Sequence, residues 1–172
     1  MFVAVAVLAS VAAGCSGGTA STSTTRPPQP AGSVPSPIAV EVCSHDALTE
    51  INSALGERAA VSHPTWIDHL YECRYTYPTG SMLLSVKELS SWAETTQYFD
   101  NLATTLGKSR ELQGLGQGAF QTTSGSVVVR KDWKVLLVDS TGLPAQFGVP
   151  PTSSGDVAVT VGDVILGCWA GD

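Results

Sequence analysis

A chain of 172 residues with 9 Lys/Arg against 15 Asp/Glu, net charge -6, has no basic field with which to hold nucleic acid or an anionic membrane surface. Charged residues make up only 14% of it and hydrophobic residues 43%, enough apolar material for a core and too little charge for a wholly disordered chain. The first element is an apolar run from Met1 to Val11 that leads into Ala12-Ala13-Gly14-Cys15. Small residues directly before a cysteine are what lipoprotein signal peptidase needs. Residues 1–14 are therefore expected to be a lipoprotein signal peptide, with Cys15 the lipidated N-terminus that moors the rest to the cell membrane on its extracytoplasmic face. The run is short of the about 20 residues a membrane-spanning helix requires. A plain secretory signal and a buried segment are the competing readings. No Lys or Arg stands near Met1, and a start upstream of it would supply the positive region that export signals carry.

From Ser16 to Ala39 the chain is Ser, Thr, Pro and Gly, with Arg26 its only charge. Such a stretch cannot bury enough surface to offset the entropy of ordering, so residues 15–39 are predicted to be a disordered linker behind the lipid. Residues 40–172 have the length of one domain. Ser44 caps a predicted helix in which Leu48, Ile51 and Leu55 recur at helical spacing, and Gly56 stops it. Leu70 to Tyr77 and Ser81 to Val86 read as strands around a Pro78-Thr79-Gly80 turn. Ser91-Trp92-Ala93-Glu94 is a capping box opening a helix with the stripe Trp92, Phe99, Leu102 and Leu106, ended by Gly107. A loop punctuated by Gly114, Gly116 and Gly118 leads to three strands, from Ala119 to Thr122, Val127 to Arg130 and Trp133 to Val138. Asp156 to Trp169 is ambiguous; the spacing of Val157, Val161, Val164 and Cys168 favours a helix laid over the sheet with Trp169 against it. The order predicts an α+β fold: an antiparallel sheet with about three helices packed on one face.

With Cys15 assigned to lipid, Cys43, Cys73 and Cys168 remain in an oxidising compartment. The favoured bridge joins Cys43, at the head of the first helix, to Cys73 in an apolar strand, and leaves Cys168 a buried thiol. A bridge using Cys168, or none, stays open at this point, because sequence does not fix connectivity.

The lipobox, the Ser/Thr/Pro tether, a cysteine heading a helix that ends in Leu-Gly (Cys43 to Gly56), Cys73-Arg74-Tyr75, and Gly114-Leu115-Gly116 followed by Gly118-Ala119-Phe120 together resemble the small uncharacterised lipoproteins of actinobacterial, mycobacterial-type cell envelopes. The resemblance spans most of the mature chain. It implies the anchor, the fold class and the Cys43–Cys73 bridge, and it implies no activity.

Ser44-His45-Asp46 holds the residue types of a hydrolytic triad, but neighbours in one helical turn point apart and cannot relay a proton among themselves. The glycine run at 114–118 lacks the Gly-Lys-Ser/Thr of a phosphate loop. His63, Asp68, His69 and Glu72 are the one cluster with metal-ligand chemistry, at a spacing that matches no dedicated motif. The expected function is a non-catalytic binding or accessory lipoprotein without a cofactor, holding a hydrophobic ligand or an envelope protein. Trp66, Tyr71, Tyr75, Tyr77 and Trp133 are the candidate contact residues. The alternative is an envelope hydrolase or metal-dependent enzyme working through His63, Asp68 and His69.

Overall fold

A computed structural model describes residues 27–169; the expected signal peptide, Cys15 and the first part of the linker lie outside them. Two helices come first, α1 (Pro37–Glu41) and α2 (His45–Leu55). Ser44 caps α2 by accepting from the Ala47 N–H at 3.0 Å. Gly56 closes it at φ 64°, a left-handed conformation that a side chain would resist. Short strands β1 (Ala60–Val61) and β2 (Thr65–Ile67) precede the long hairpin β3 (Leu70–Tyr77) and β4 (Gly80–Glu88). After α3 (Trp92–Thr105) come β5 (Lys108–Leu112), β6 (Gly118–Thr122), β7 (Val127–Lys131) and β8 (Lys134–Asp139). A small ribbon of β9 (Gln146–Phe147) and β10 (Thr152–Ser153) leads into α4 (Ser154–Trp169).

The eight strands β1 to β8 form one antiparallel sheet in the order β1-β3-β4-β8-β7-β6-β5, with β2 also on β3. Alternation along the strands divides their side chains between two faces. One face carries Tyr71, Cys73, Tyr75, Met82, Leu84, Val86, Val127, Val129, Leu136 and Val138, and packs against Ala47, Ile51 and Leu55 of α2 and Val157, Val161, Ile165 and Trp169 of α4. The other face carries Phe120, Val128 and Val135 beneath Tyr98, Phe99, Leu102 and Leu106 of α3.

The helices are thus divided between two faces, which corrects the expectation of one. Topology explains the division: β4 lies inside the sheet and β5 at its far edge, so the connection between them must cross β8, β7 and β6, and α3 covers them as it does so. The four-residue helical stripe seen in the sequence is real but faces this smaller core, with Trp92 left 48% exposed at its end.

A second correction concerns the linker. Residues 31–39 pack on the domain: the Ala31 N–H donates to the Leu89 carbonyl at 3.1 Å, the Trp66 indole N–H to the Ser33 carbonyl at 3.1 Å, and Ala39 is fully buried. Ser36 caps α1 and donates through both its backbone N–H and its hydroxyl to the buried carboxylate of Glu88. Composition alone missed this strap, because it is held by partners about fifty residues away in sequence and not by its own apolar pattern.

The Cys43–Cys73 disulfide is present, with Cα atoms 6.0 Å apart. It ties the α1–α2 corner to β3, and two residues along the strand the Tyr75 hydroxyl donates to the Val42 carbonyl at 2.8 Å. Cys168 is half-buried and is not a free thiol, which corrects the expectation of a buried one. At the end of β8, Asp139 accepts from the Ser126 hydroxyl and the Thr141 N–H, both at 3.0 Å. Partial burial pushes its carboxyl up, but the hydrogen bonds from Thr141 and Ser126 and the charge of Arg74 together outweigh burial and hold it below the ordinary 3.8.

Replacing Cys43 and Cys73 by Ala is expected to cost about 2–4 kcal/mol in urea unfolding, the loop-closure contribution of a bridge that spans about 30 residues; an unchanged midpoint with and without reductant would contradict it. The lowered carboxyl of Asp139 contributes stability that is present above its unfolded value, near 4, and lost as pH falls through the lower folded one. Stability curves measured down through that window should therefore drop less for Asp139→Asn than for the parent chain.

Candidate functional site

The residues singled out from sequence are dispersed. Asp68 and His69 are the two central residues of the β2–β3 hairpin turn, at φ 50° and 59°, closed by the Ile67–Leu70 pair. Their backbone carbonyls are engaged, Asp68 by the Lys87 ammonium and His69 by the Glu88 N–H. The His69 ring meets Trp66 edge-on with centroids 5.7 Å apart. His63 is exposed in the loop before β2, and Glu72 is half-buried on β3. Among the described residues no group of three His, Cys, Asp or Glu side chains converges where a metal ion could be held. His45 and Asp46 are exposed, with Ser44 occupied as the α2 cap.

Of the candidate contact aromatics, Tyr71, Tyr75 and Tyr77 are core residues, a correction that follows from the pleat: alternate residues of β3 face α2 and α4. Burial raises the Tyr75 phenol, helped by Tyr77 and Glu41, and burial with the charge of Glu57 pushes Tyr77 up to about 12. Tyr77 packs edge-on against Phe147 at 4.7 Å, and both phenols are neutral at physiological pH. Trp66 and Trp133 are half-buried, and Trp133 sits with Asp132 in the β7–β8 turn at φ 58° and 48°.

A concave feature lies elsewhere, where the glycine loop between β5 and β6 meets α3. A groove of about 380 Å³ is lined by Phe99, Lys108, Glu111, Gln113, the loop backbone from Gly114 to Gly118, and Arg130. Gly116 is required there: its φ is 56°, and a Cβ would stand 2.7 Å from the Arg130 carbonyl and 2.8 Å from Val129. The loop is then pinned to the β7–β8 turn. The Gln117 N–H donates to the Arg130 carbonyl at 2.8 Å, while the Gln117 side chain accepts from the Asp132 N–H and donates to the Asp132 carboxylate.

Arg130 is the central side chain of this groove. It pairs with Gly118 across β6 and β7, and both point to the α3 face. Lacking a Cβ, Gly118 lets the guanidinium lie across the strand, where it sits 4.3 Å from the Trp92 ring centroid and 5.2 Å from that of Phe99. Its Nη1 donates to the Thr96 hydroxyl at 3.0 Å and its Nη2 to the Gln117 carbonyl at 3.3 Å. Nε is buried without a hydrogen-bond acceptor, and among the described residues no carboxylate lies within ion-pair distance of the group. The other cation on the rim is already engaged: Lys108 donates to Glu111 at 2.7 Å, and that hydrogen bond, with the lysine charge behind it, lowers the Glu111 carboxyl.

Sequence reasoning placed the glycines in a loop and Trp92 at the head of the helical stripe, and gave neither Trp92 nor Arg130 a part in a site. The signal that could have found them is the alternation of β7, which puts Arg130 on the same face as Val128, combined with an aromatic at the head of the stripe in α3. No family model, curated protein or solved structure matches the chain.

Trp92→Ala removes the ring over the guanidinium and is expected to cost about 1 kcal/mol in urea unfolding with the helical signal retained; a loss below about 0.3 kcal/mol would reduce the contact to incidental surface packing.

Proposed function

We propose that this chain is an extracytoplasmic lipoprotein, moored by acyl groups on Cys15, whose folded body has a non-catalytic binding or accessory role in the cell envelope. The observation that carries this reading is a disulfide closing the core of a domain that follows a lipobox, Ala12-Ala13-Gly14-Cys15. A bridge of this kind persists where thiols are oxidised, and a signal of that form directs a chain there. No helix among the described residues is long and apolar enough to cross a membrane, so the lipid is the proposed means of attachment. The resemblance to small actinobacterial envelope lipoproteins supports the same location.

For the binding role, the groove under the glycine loop is the surface this reading favours. It is concave, partly preformed by the Gln117–Asp132 clasp, and holds a cation that lacks an acidic partner among the described residues. Its rim of Lys, Glu and Gln side chains suits a polar ligand better than the hydrophobic one expected alongside the candidate contact aromatics. Among the described residues, His63, Asp68 and His69 do not converge as a group that could hold a metal ion, so the alternative of an enzyme working through them is the less favoured reading.

Intact-mass analysis of the chain extracted from its own membranes tests the mooring. The expected species begins at Cys15 and carries diacylglycerol, and Cys15→Ser should move the protein out of the membrane fraction. Mature material that retains residues 1–14 with an unmodified Cys15 would overturn it.

A further inference from the structure

Resting on the mooring proposed above, and deepening it, we propose that one end of the folded body is a membrane-contact surface: the end at which the chain arrives from Cys15 lies against the headgroup boundary of the bilayer that holds the lipid. Register defines that end. Leu70, Lys87, Val135 and Arg130 stand in one row across β3, β4, β8 and β7, and the next row outward is Glu88, Lys134 and Lys131. The β2–β3 turn at Asp68-His69 and the β7–β8 turn at Asp132-Trp133 lie just beyond. All four tryptophans of the chain collect here. Trp133 is in the second turn, and Trp66 adjoins Ile67, whose pairing with Leu70 closes the first. Trp92 faces the Arg130 guanidinium at 4.3 Å, and the Trp169 carbonyl accepts from the Lys131 ammonium at 3.1 Å.

Trp169 is buried, and the other three reach the surface in part, Trp92 the most. Beside them stand two of the most exposed aliphatic side chains among the described residues, Ile67 at 66% and Val34 at 69%, the latter next to Ser33, whose carbonyl takes the Trp66 indole N–H. Indoles settle at a membrane–water boundary because one edge of the ring is polar and the rest is not. The tether decides the occupant. The strap crosses this end, with the Ala31 N–H on the Leu89 carbonyl and the Leu89 N–H on the Trp133 carbonyl. Only fifteen residues, 16–30, separate it from Cys15, a reach of about 50 Å at full extension. Linkage of that length presents the bilayer at an effective concentration of about 1 mM, so a contact too weak to hold a free protein is occupied in the moored one. Charge adds no attraction, because Lys87, Lys131 and Lys134 stand among the carboxylates of Asp68, Glu88 and Asp132 in a chain of net charge -6. The contact is therefore aromatic and aliphatic, and salt should not weaken it.

The test uses the full chain, extracted with its lipid and reconstituted into vesicles of phosphatidylcholine brominated in the upper part of its acyl chains, since bromine quenches an indole only at close range. Tryptophan emission is expected to fall by about a third relative to unbrominated vesicles, at low and high salt alike. Ile67→Asp, which puts a charge into the contact, should cut that quenching about twofold or more with the folded circular-dichroism signal kept. Val149→Asp is the control: Val149 is as exposed, at 64%, but follows Phe147, which packs on Tyr77 at the other end of β3, and its quenching should equal that of the parent chain. Equal emission in the two kinds of vesicle, from a chain whose intact mass shows the lipid, would overturn the contact, leave the mooring standing and hand this aromatic end to a protein partner. The same loss of quenching in both variants, or in neither, would also overturn it. A chain without lipid on Cys15 would remove the mooring and the contact together.

Discussion

The architecture depends on one clamp. Cys43 follows α1 and heads α2, and its bond to Cys73 fixes that corner on the middle of β3, where the Tyr75 hydroxyl also holds the Val42 carbonyl. Val42 and Tyr75 are both fully buried, so the hydrogen bond works in a dry environment, where an unmade one would leave a costly orphan. With the corner fixed, α2 packs beside α4, and α4 covers β7 and β8 on that face. The arrangement joins chain ends that are distant in sequence into one core, which a domain of this size otherwise achieves only through burial.

The opposite face follows different rules. It has no bridge, and its core is Phe120, Val128 and Val135 with half-buried partners from α3, in which Thr95 is the only fully buried residue. Arg130 compensates in part: it joins α3 to the sheet through Thr96 and to the glycine loop through Gln117, with two aromatic rings against its plane. A cation is thereby both a packing element and the polar lining of the groove. Gln121 plays a related part at the other end of β6, accepting from the Arg110 guanidinium and donating to the carbonyls of Gly125 and Gly155, which connects the edge strand to the start of α4.

Elements with strong local signals were legible in the sequence. Ser44 and Gly56 bracket α2, Ser91 caps α3, and the β3–β4 pair and the β6–β7–β8 meander fall within a residue or two of their predicted bounds. The helix over α4 was decided correctly by its four-residue spacing against the β-branched composition. What was missed shares one property, in that its structure is fixed from outside. Strand β5 is Lys-Ser-Arg-Glu-Leu, exposed nearly throughout, and pairs only because the crossing of α3 delivers it to the edge, where its charges also guard that edge. The hairpin at Asp68-His69 lacks the Asn-Gly that announces such turns. The groove was illegible for the same reason, since Arg130, Trp92 and Gly118 come from three separate elements.

The strap from Ala31 to Ser36 has a mechanical corollary. A pull arriving along the chain from its N-terminal side would first meet the Ala31–Leu89 and Ser36–Glu88 contacts. Once these yield, the tension passes through α1 into the covalent link at Cys43, which transmits it to β3 deep inside the sheet.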